Sequence, residues 1–203
     1  MSCTVPPETL SQVIAFHGHS CPGLAIGIRA AELALRELHH PPATDLVSIV
    51  ETDMCGVDAI QFLTGCTLGK GNLIHHDHGK MAFSFHDRSS GRGIRLLMRP
   101  EARGEFEQEM GGLMAKVNGG TATDEERRRL AALRGQIQQR FMELPLEQMF
   151  EVQELTQAPP RPPRVLASLS CEDCGEKTME SRTRRFGGRT LCIPCFAKVE
   201  QKV

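Results

Sequence analysis

The sequence predicts an α+β fold: a core of helices and antiparallel strands, followed by a small C-terminal zinc ribbon. Three observations carry this. Segments of helical period and short apolar strands follow one another as helix, helix, strand, helix, strands, helices, strand. Pro159-Pro160-Arg161-Pro162-Pro163 then interrupts every pattern, because prolines packed this densely continue neither a helix nor a central strand and favour a stiff, extended spacer. Beyond it lie two CxxC pairs, Cys171-Glu-Asp-Cys174 and Cys192-Ile-Pro-Cys195. The expected organisation is a core metal-binding domain over residues 1–157, a proline-rich linker over 158–164 and a zinc ribbon over 165–203.

The first helix is expected from Glu8 to His17, with Leu10, Val13, Ile14 and His17 on one face. A second runs from Pro22 to about Leu38, with Leu24, Ile28, Ala31, Leu35 and Leu38 at helical spacing. Pro22 suits a first helical turn, which makes Cys21 its cap. His39-His40-Pro41-Pro42 ends it. Leu46 to Val50 reads as a buried strand and Gly56 to Leu63 as a third helix. Strands are expected at Ile74, at Met81 to Phe85 and at Ile94 to Met98, with turns at Gly79-Lys80 and Ser89-Ser90-Gly91. A helix over Glu101 to Val117 is broken by Gly119-Gly120. Thr123-Asp124-Glu125-Glu126 is a capping box that starts the next, which runs to Glu143. Leu146 to Leu155 reads as a last strand, with Met149 and Phe150 buried.

Composition narrows the function. A hydrophobic fraction of 40% supports a true core, and a net charge of -1 gives no global field for nucleic acid or membrane. No apolar run approaches the ~20 residues of a membrane span. Met1 to Pro7 lacks the pattern of a secretory leader, so the protein is expected to be soluble and cytoplasmic, with no membrane partner. Trp and Tyr are absent, which weakens base-stacking readings.

Cysteine and histidine carry the chemistry. Two residues between cysteines let a tight turn aim both sulfurs at one point. Two such turns supply the four thiolates of a tetrahedral Zn²⁺, so Cys171, Cys174, Cys192 and Cys195 are read as ligands of a structural zinc rather than as disulfides. The second constellation is Phe16-His17-Gly18-His19-Ser20-Cys21-Pro22-Gly23. Gly18 lets the chain fold back, and the following helix N-terminus favours a Cys21 thiolate. Mixed sulfur and imidazole donors favour zinc over iron, nickel or copper. Cys55 and Cys66 are both candidates to complete the set. They flank one short helix whose ends lie ~15 Å apart, so one of them binds while the other lies beside the site. His75-His76-Asp77-His78 reads as a solvated stretch, and Gly69-Lys70-Gly71-Asn72 as a turn or an anion loop. Arg182, Arg184, Arg185 and Arg189 form a basic patch on the ribbon, where nucleic-acid binding is an alternative but not the favoured reading.

The HGHSCPG stretch, Asp58-Ala59-Ile60-Gln61, Thr64-Gly65-Cys66-Thr67-Leu68-Gly69-Lys70-Gly71-Asn72 and the terminal ribbon together resemble the family of proteins like the E subunit of formylmethanofuran dehydrogenase. The resemblance implies an α+β core, an intertwined homodimer and a metal site on His17, His19 and Cys21, with Cys55 or Cys66 as further ligands. The family takes its name from a molybdenum or tungsten enzyme of one-carbon metabolism. Two functions stand against each other. One is a metal-binding accessory or regulatory protein whose ribbon contacts a protein partner. The other is a metal-dependent enzyme or redox subunit, with Asp53, Asp58 or Lys70 as acid-base candidates. A closed coordination shell favours the first, and an open one facing a substrate-sized cavity the second.

Overall fold

The computed structural model describes residues 3–39, 41 and 44–199. The chain divides into two compact units, Met1–Pro162 and Pro163–Val203.

The larger unit is built around helix α2 (Pro22–Glu37), which follows α1 (Pro7–His17). Every residue of α2 from Leu24 to Ala34 is buried. A helix apolar all round belongs in the middle of a unit, not on its surface. Its two buried charges are paired: Arg29 donates to Glu32 at 2.6 Å and to the Leu144 carbonyl at 2.7 Å. Glu32 also accepts from the Thr4 amide and hydroxyl, which ties the N-terminal segment to the helix. The stop predicted at His39-His40-Pro41-Pro42 falls partly on His40 and Pro42, outside the described residues; α2 itself ends at Glu37, and His39 adopts a left-handed φ of 57°.

Strand β1 (Leu46–Val50) leads into α3 (Gly56–Thr64) and β2 (Leu73–His75). Because α3 crosses over, β2 lies parallel to β1, the one parallel pairing in a five-stranded sheet ordered β2-β1-β3-β4-β5. β3 (Ala82–Asp87) and β4 (Gly93–Met98) form an antiparallel hairpin, and β5 (Phe150–Glu154) closes the far edge. Phe83, Phe85, Ile94, Leu96 and Phe150 join α2 residues and Leu133, Ile137 and Phe141 of α5 (Asp124–Glu143) in one core. The capping box at the start of α5 is formed, with Thr123 and Glu126 each accepting from the other's amide.

Two predicted elements are cut differently. The helix expected from Glu101 is a 3-10 turn, Pro100–Arg103, followed by α4 (Phe106–Asn118); Gly104 separates them at φ 64°. The strand expected from Leu146 begins instead at Phe150. Pro145 sets up a helical turn, α6 (Leu146–Met149), that delivers buried Met149 and Phe150 to the core.

The smaller unit holds two hairpins, β6 (Ser168–Ser170) with β7 (Lys177–Met179) and β8 (Thr183–Phe186) with β9 (Arg189–Cys192), then α7 (Ile193–Phe196). Its core is Cys171, Leu191, Cys192 and Cys195, with Phe196 and Val199 against them. That is far too little apolar surface to hold a fold of this size without a cross-link.

Candidate metal centre

The site begins with two glycines. A Cβ placed on Gly27 of α2 would lie 2.0 Å from the Gly56 carbonyl oxygen and 2.5 Å from the Gly56 Cα. A Cβ on Gly56 would meet the Gly23 oxygen at 2.9 Å. Backbone therefore touches backbone where α2 meets the start of α3, and no side chain fits between them. This contact brings two helix N-termini together, and each is preceded by a cysteine. Cys21 caps α2, its sulfur accepting from the Leu24 amide at 3.3 Å. Cys55 occupies the cap position of α3. Each sulfur therefore sits at the amide-rich start of a helix.

The histidines arrive from the end of α1. Gly18, at φ 93°, ends that helix and turns the chain back, so the His17 and His19 rings lie 4.4 Å apart. One donor atom from each of His17, His19, Cys21 and Cys55 falls within 4.8 Å of the other three. His17 is already oriented: its Nδ1 meets the Asp58 carboxylate at 2.7 Å. Its Nε2 is buried and has no hydrogen-bond partner. A buried imidazole nitrogen left empty beside two thiols is costly unless something fills it. A carboxylate behind a histidine is also the usual device for fixing a ligand's tautomer. Burial, and next the neighbouring Cys21 sulfur, push the Cys55 thiol above its ordinary value, so the paired sulfurs favour a cation between them.

Cys66 is not brought to this cluster. It is fully buried at the other end of α3, and its thiol donates to the Leu46 carbonyl at 3.4 Å. The length of α3 keeps it away, and Cys55 is the cysteine that reaches the histidines. Lys70 donates to the Gly65 carbonyl at 2.6 Å, and Asn72 bridges the Thr67 amide and the Leu46 carbonyl. The Gly65–Asn72 stretch thus ties α3 to β1. His76 and His78 are exposed, and His78 Nδ1 meets Glu51 at 3.1 Å. Asp53 is exposed and is not among the cluster's donors. The roles of Asp58 as orienter and of Gly27 and Gly56 as the close contact went unread in the sequence. The spacing Gly23-x-x-x-Gly27 inside a helix was the available signal for the latter.

In the smaller unit, Cys171, Cys174, Cys192 and Cys195 also offer four sulfurs within 4.8 Å. The Cys192 amide donates to the Cys171 sulfur at 3.3 Å. Amide groups of Cys174 and Cys192 hold the Cys171 thiol down at about 6, while Asp173 and then Cys192 push Cys195 up. Sulfurs this crowded ionise together only around a cation.

Comparison with known proteins agrees with both halves. Residues 16–151 match the family described as FmdE, molybdenum formylmethanofuran dehydrogenase operon, and residues 166–201 match the prokaryotic dksA/traR C4-type zinc finger. The chain belongs to the FmdE family and carries a C4 zinc finger after it. A crystal structure of an FmdE-like protein from Syntrophus aciditrophicus, described as similar to the E subunit of tungsten formylmethanofuran dehydrogenase, superposes with a TM-score of 0.62 at 26% identity, covering 93% of this chain and 90% of that one. A protein of Archaeoglobus fulgidus named "Probable S-adenosyl-L-methionine-binding protein" is 32% identical over 192 residues. That alignment takes in 89% of this chain, which spans half the length of the relative. Among the described residues, no helix is long and apolar enough to cross a membrane.

Proposed function

We propose that this protein is a metal-binding accessory or regulatory protein. Its larger unit holds a transition metal, zinc before others, on His17, His19, Cys21 and Cys55. Its ribbon holds a structural zinc on Cys171, Cys174, Cys192 and Cys195 and presents a surface to a protein partner. The observation that carries the core site is the buried, unpartnered Nε2 of His17, with Nδ1 fixed by Asp58 and two cap-position thiols beside it. Two sulfurs and two nitrogens make a borderline-soft tetrahedral set that suits zinc. Four protein donors close such a shell, which favours holding or sensing a metal over activating water. Exposed Leu169, Met179, Phe186 and Ile193 supply the ribbon's apolar contact surface. Clustered thiols at both sites suit a reducing compartment, the cytoplasm.

Metal analysis of anaerobically purified protein tests this. The full chain is expected to carry two metals, and Cys21→Ala to lose one while the ribbon metal stays. Unchanged metal content in Cys21→Ala would remove that cysteine from the ligand set.

One observation favours a second reading, a metal-dependent enzyme or redox subunit: a cavity of about 580 Å³ adjoins His19, Cys21 and Cys55. X-ray absorption separates the two. Two sulfurs with two imidazole nitrogens supports the first, and a shell completed by a water oxygen supports the second.

A second copy of the chain is also proposed as a partner. Phe16 and Phe62 are 56% and 37% exposed with rings 5.7 Å apart, and Leu68 beyond α3 is 68% exposed. Light scattering at the mass of one chain contradicts this. The S-adenosylmethionine binding in the archaeal relative's name stays with that longer protein.

A further inference from the structure

We propose that the cavity beside the His/Cys cluster binds a small organic anion with an apolar body, its carboxylate paired with Arg134. The inference deepens the metal-centre reading by naming what lies against that centre. It rests on that reading only for the charge of one wall, since zinc with two thiolates and two neutral imidazoles is electrically neutral.

The size is right for a small molecule: about 580 Å³ lies within the ~300–1,000 Å³ of ordinary ligand cavities. The shape comes from three directions. The HGHSCPG turn and Cys55 form the floor, α4 contributes Met110 and Met114, and α5 supplies Arg134, Gly135 and Gln138. Met54 and Met81 complete an apolar wall of four thioether side chains, which adapt to the outline of a guest.

Charge decides the class of guest. Among the described residues no Asp or Glu lines the cavity, and two arginines do. Arg103 is neutralised by Glu107 at 3.1 Å. Arg134 is exposed and makes no hydrogen bond or ion pair with the described residues, so of the two lining arginines it is the one whose guanidinium has no protein partner. A guanidinium fork matches a carboxylate in geometry as well as charge. Gln138 donates to the Ser20 hydroxyl at 2.7 Å, which ties α5 to the turn that carries His19 and Cys21.

Gly135 also lines the cavity. It lies inside the twenty-residue helix α5, where glycine weakens a helix by ~1 kcal/mol relative to alanine. Nothing lies within 4 Å of a Cβ built there. Gly135 is exposed, and among the described residues no packing calls for a glycine there, so a larger side chain has room to extend over the cavity.

The test uses the full chain, metal-replete and anaerobic, with 4-phenylbutyrate as the probe and 4-phenylbutan-1-ol as its uncharged counterpart. Calorimetry is expected to show one phenylbutyrate per chain and affinity for the alcohol weaker by about tenfold or more, the worth of one charge-assisted pair. Arg134→Gln should bring phenylbutyrate down to the level of the alcohol, and Gly135→Trp should abolish binding of both. No binding, equal binding of acid and alcohol, or an unchanged Arg134→Gln overturns the inference. So does a fall in molecular mass in Gly135→Trp, because the cavity would then be a contact between copies. Metal content is measured on the same samples. Loss of anion binding with the core metal retained counts against the cavity alone, and anion binding without a core metal counts against the metal reading alone.

Discussion

Replacing Gly27 by alanine isolates the feature that assembles the site. The new methyl would sit 2.0 Å from the Gly56 oxygen, 2.5 Å from its Cα and 2.6 Å from its carbonyl carbon, all backbone atoms that no rotamer change can move. Ordinary contact begins near 3.4 Å, so the start of α3 must withdraw by roughly 1.4 Å. Cys55 precedes that helix and moves with it. Metal–ligand distances tolerate only ~0.2 Å, so a shift of this size takes the Cys55 sulfur out of reach of an ion held by His17, His19 and Cys21. Overpacking of this kind costs ~1–3 kcal/mol in stability, and alanine's better helix propensity returns ~1 kcal/mol at most. The metal is therefore lost before the fold. The assay is competition with a chromophoric chelator, alongside thermal unfolding. Gly27→Ala should lose core-site affinity by more than the 10–100-fold typical of a perturbed supporting group, while the ribbon metal, an internal control, is unchanged. A variant that binds two metals with affinities within threefold of the parent would show that the glycine contact does not position Cys55.

Three further outcomes are expected. Asp58→Asn offers His17 a donor as readily as an acceptor, so the tautomer with a free Nε2 is no longer enforced; core metal affinity, read by the same competition, should fall 10–100-fold with little change in Tm. Arg29→Ala leaves the buried Glu32 carboxylate without its counter-charge, held by Thr4 alone, and should destabilise the larger unit by ~3–5 kcal/mol in urea unfolding. The Arg95 guanidinium bonded to Glu51 holds that carboxyl down at about 2, below its ordinary 4.5. A depressed folded value means the stabilisation is complete above the unfolded value and is lost as pH falls from about 4.5 toward 2. Glu51→Gln should therefore lose ~1–3 kcal/mol at pH 7 and unfold with a flatter dependence on pH across that window.

Where the sequence was legible, one local rule dominated. The 3.6-residue period and proline start of α2, the apolar run of β1 and the reciprocal Thr123–Glu126 cap each specify their element without help from distant residues. The differences came from single backbone positions. Gly104 breaks what the apolar pattern presents as one helix, and Pro145 inserts a helical turn ahead of β5. The cysteine spacing of the ribbon announces four converging sulfurs because two tight turns impose it. The core cluster is different: its residues come from α1, the turn after it and the start of α3, separated by up to thirty-eight positions. Chain length could place Cys55 and Cys66 at opposite ends of α3 but could not say which end faces the histidines. That choice belongs to the Gly27–Gly56 contact, a tertiary fact. Asp58 was visible only as a carboxylate near a motif; its bond to His17 depends on where α1 and α3 meet.

Anomalous diffraction from crystals of the full chain, grown anaerobically and collected on both sides of the zinc edge, puts the central claim to the shortest test. Two peaks per chain are expected, one among the four ribbon sulfurs and one between His17 Nε2, His19, Cys21 and Cys55. A single peak confined to the ribbon, in protein purified with metal supplied, would contradict it.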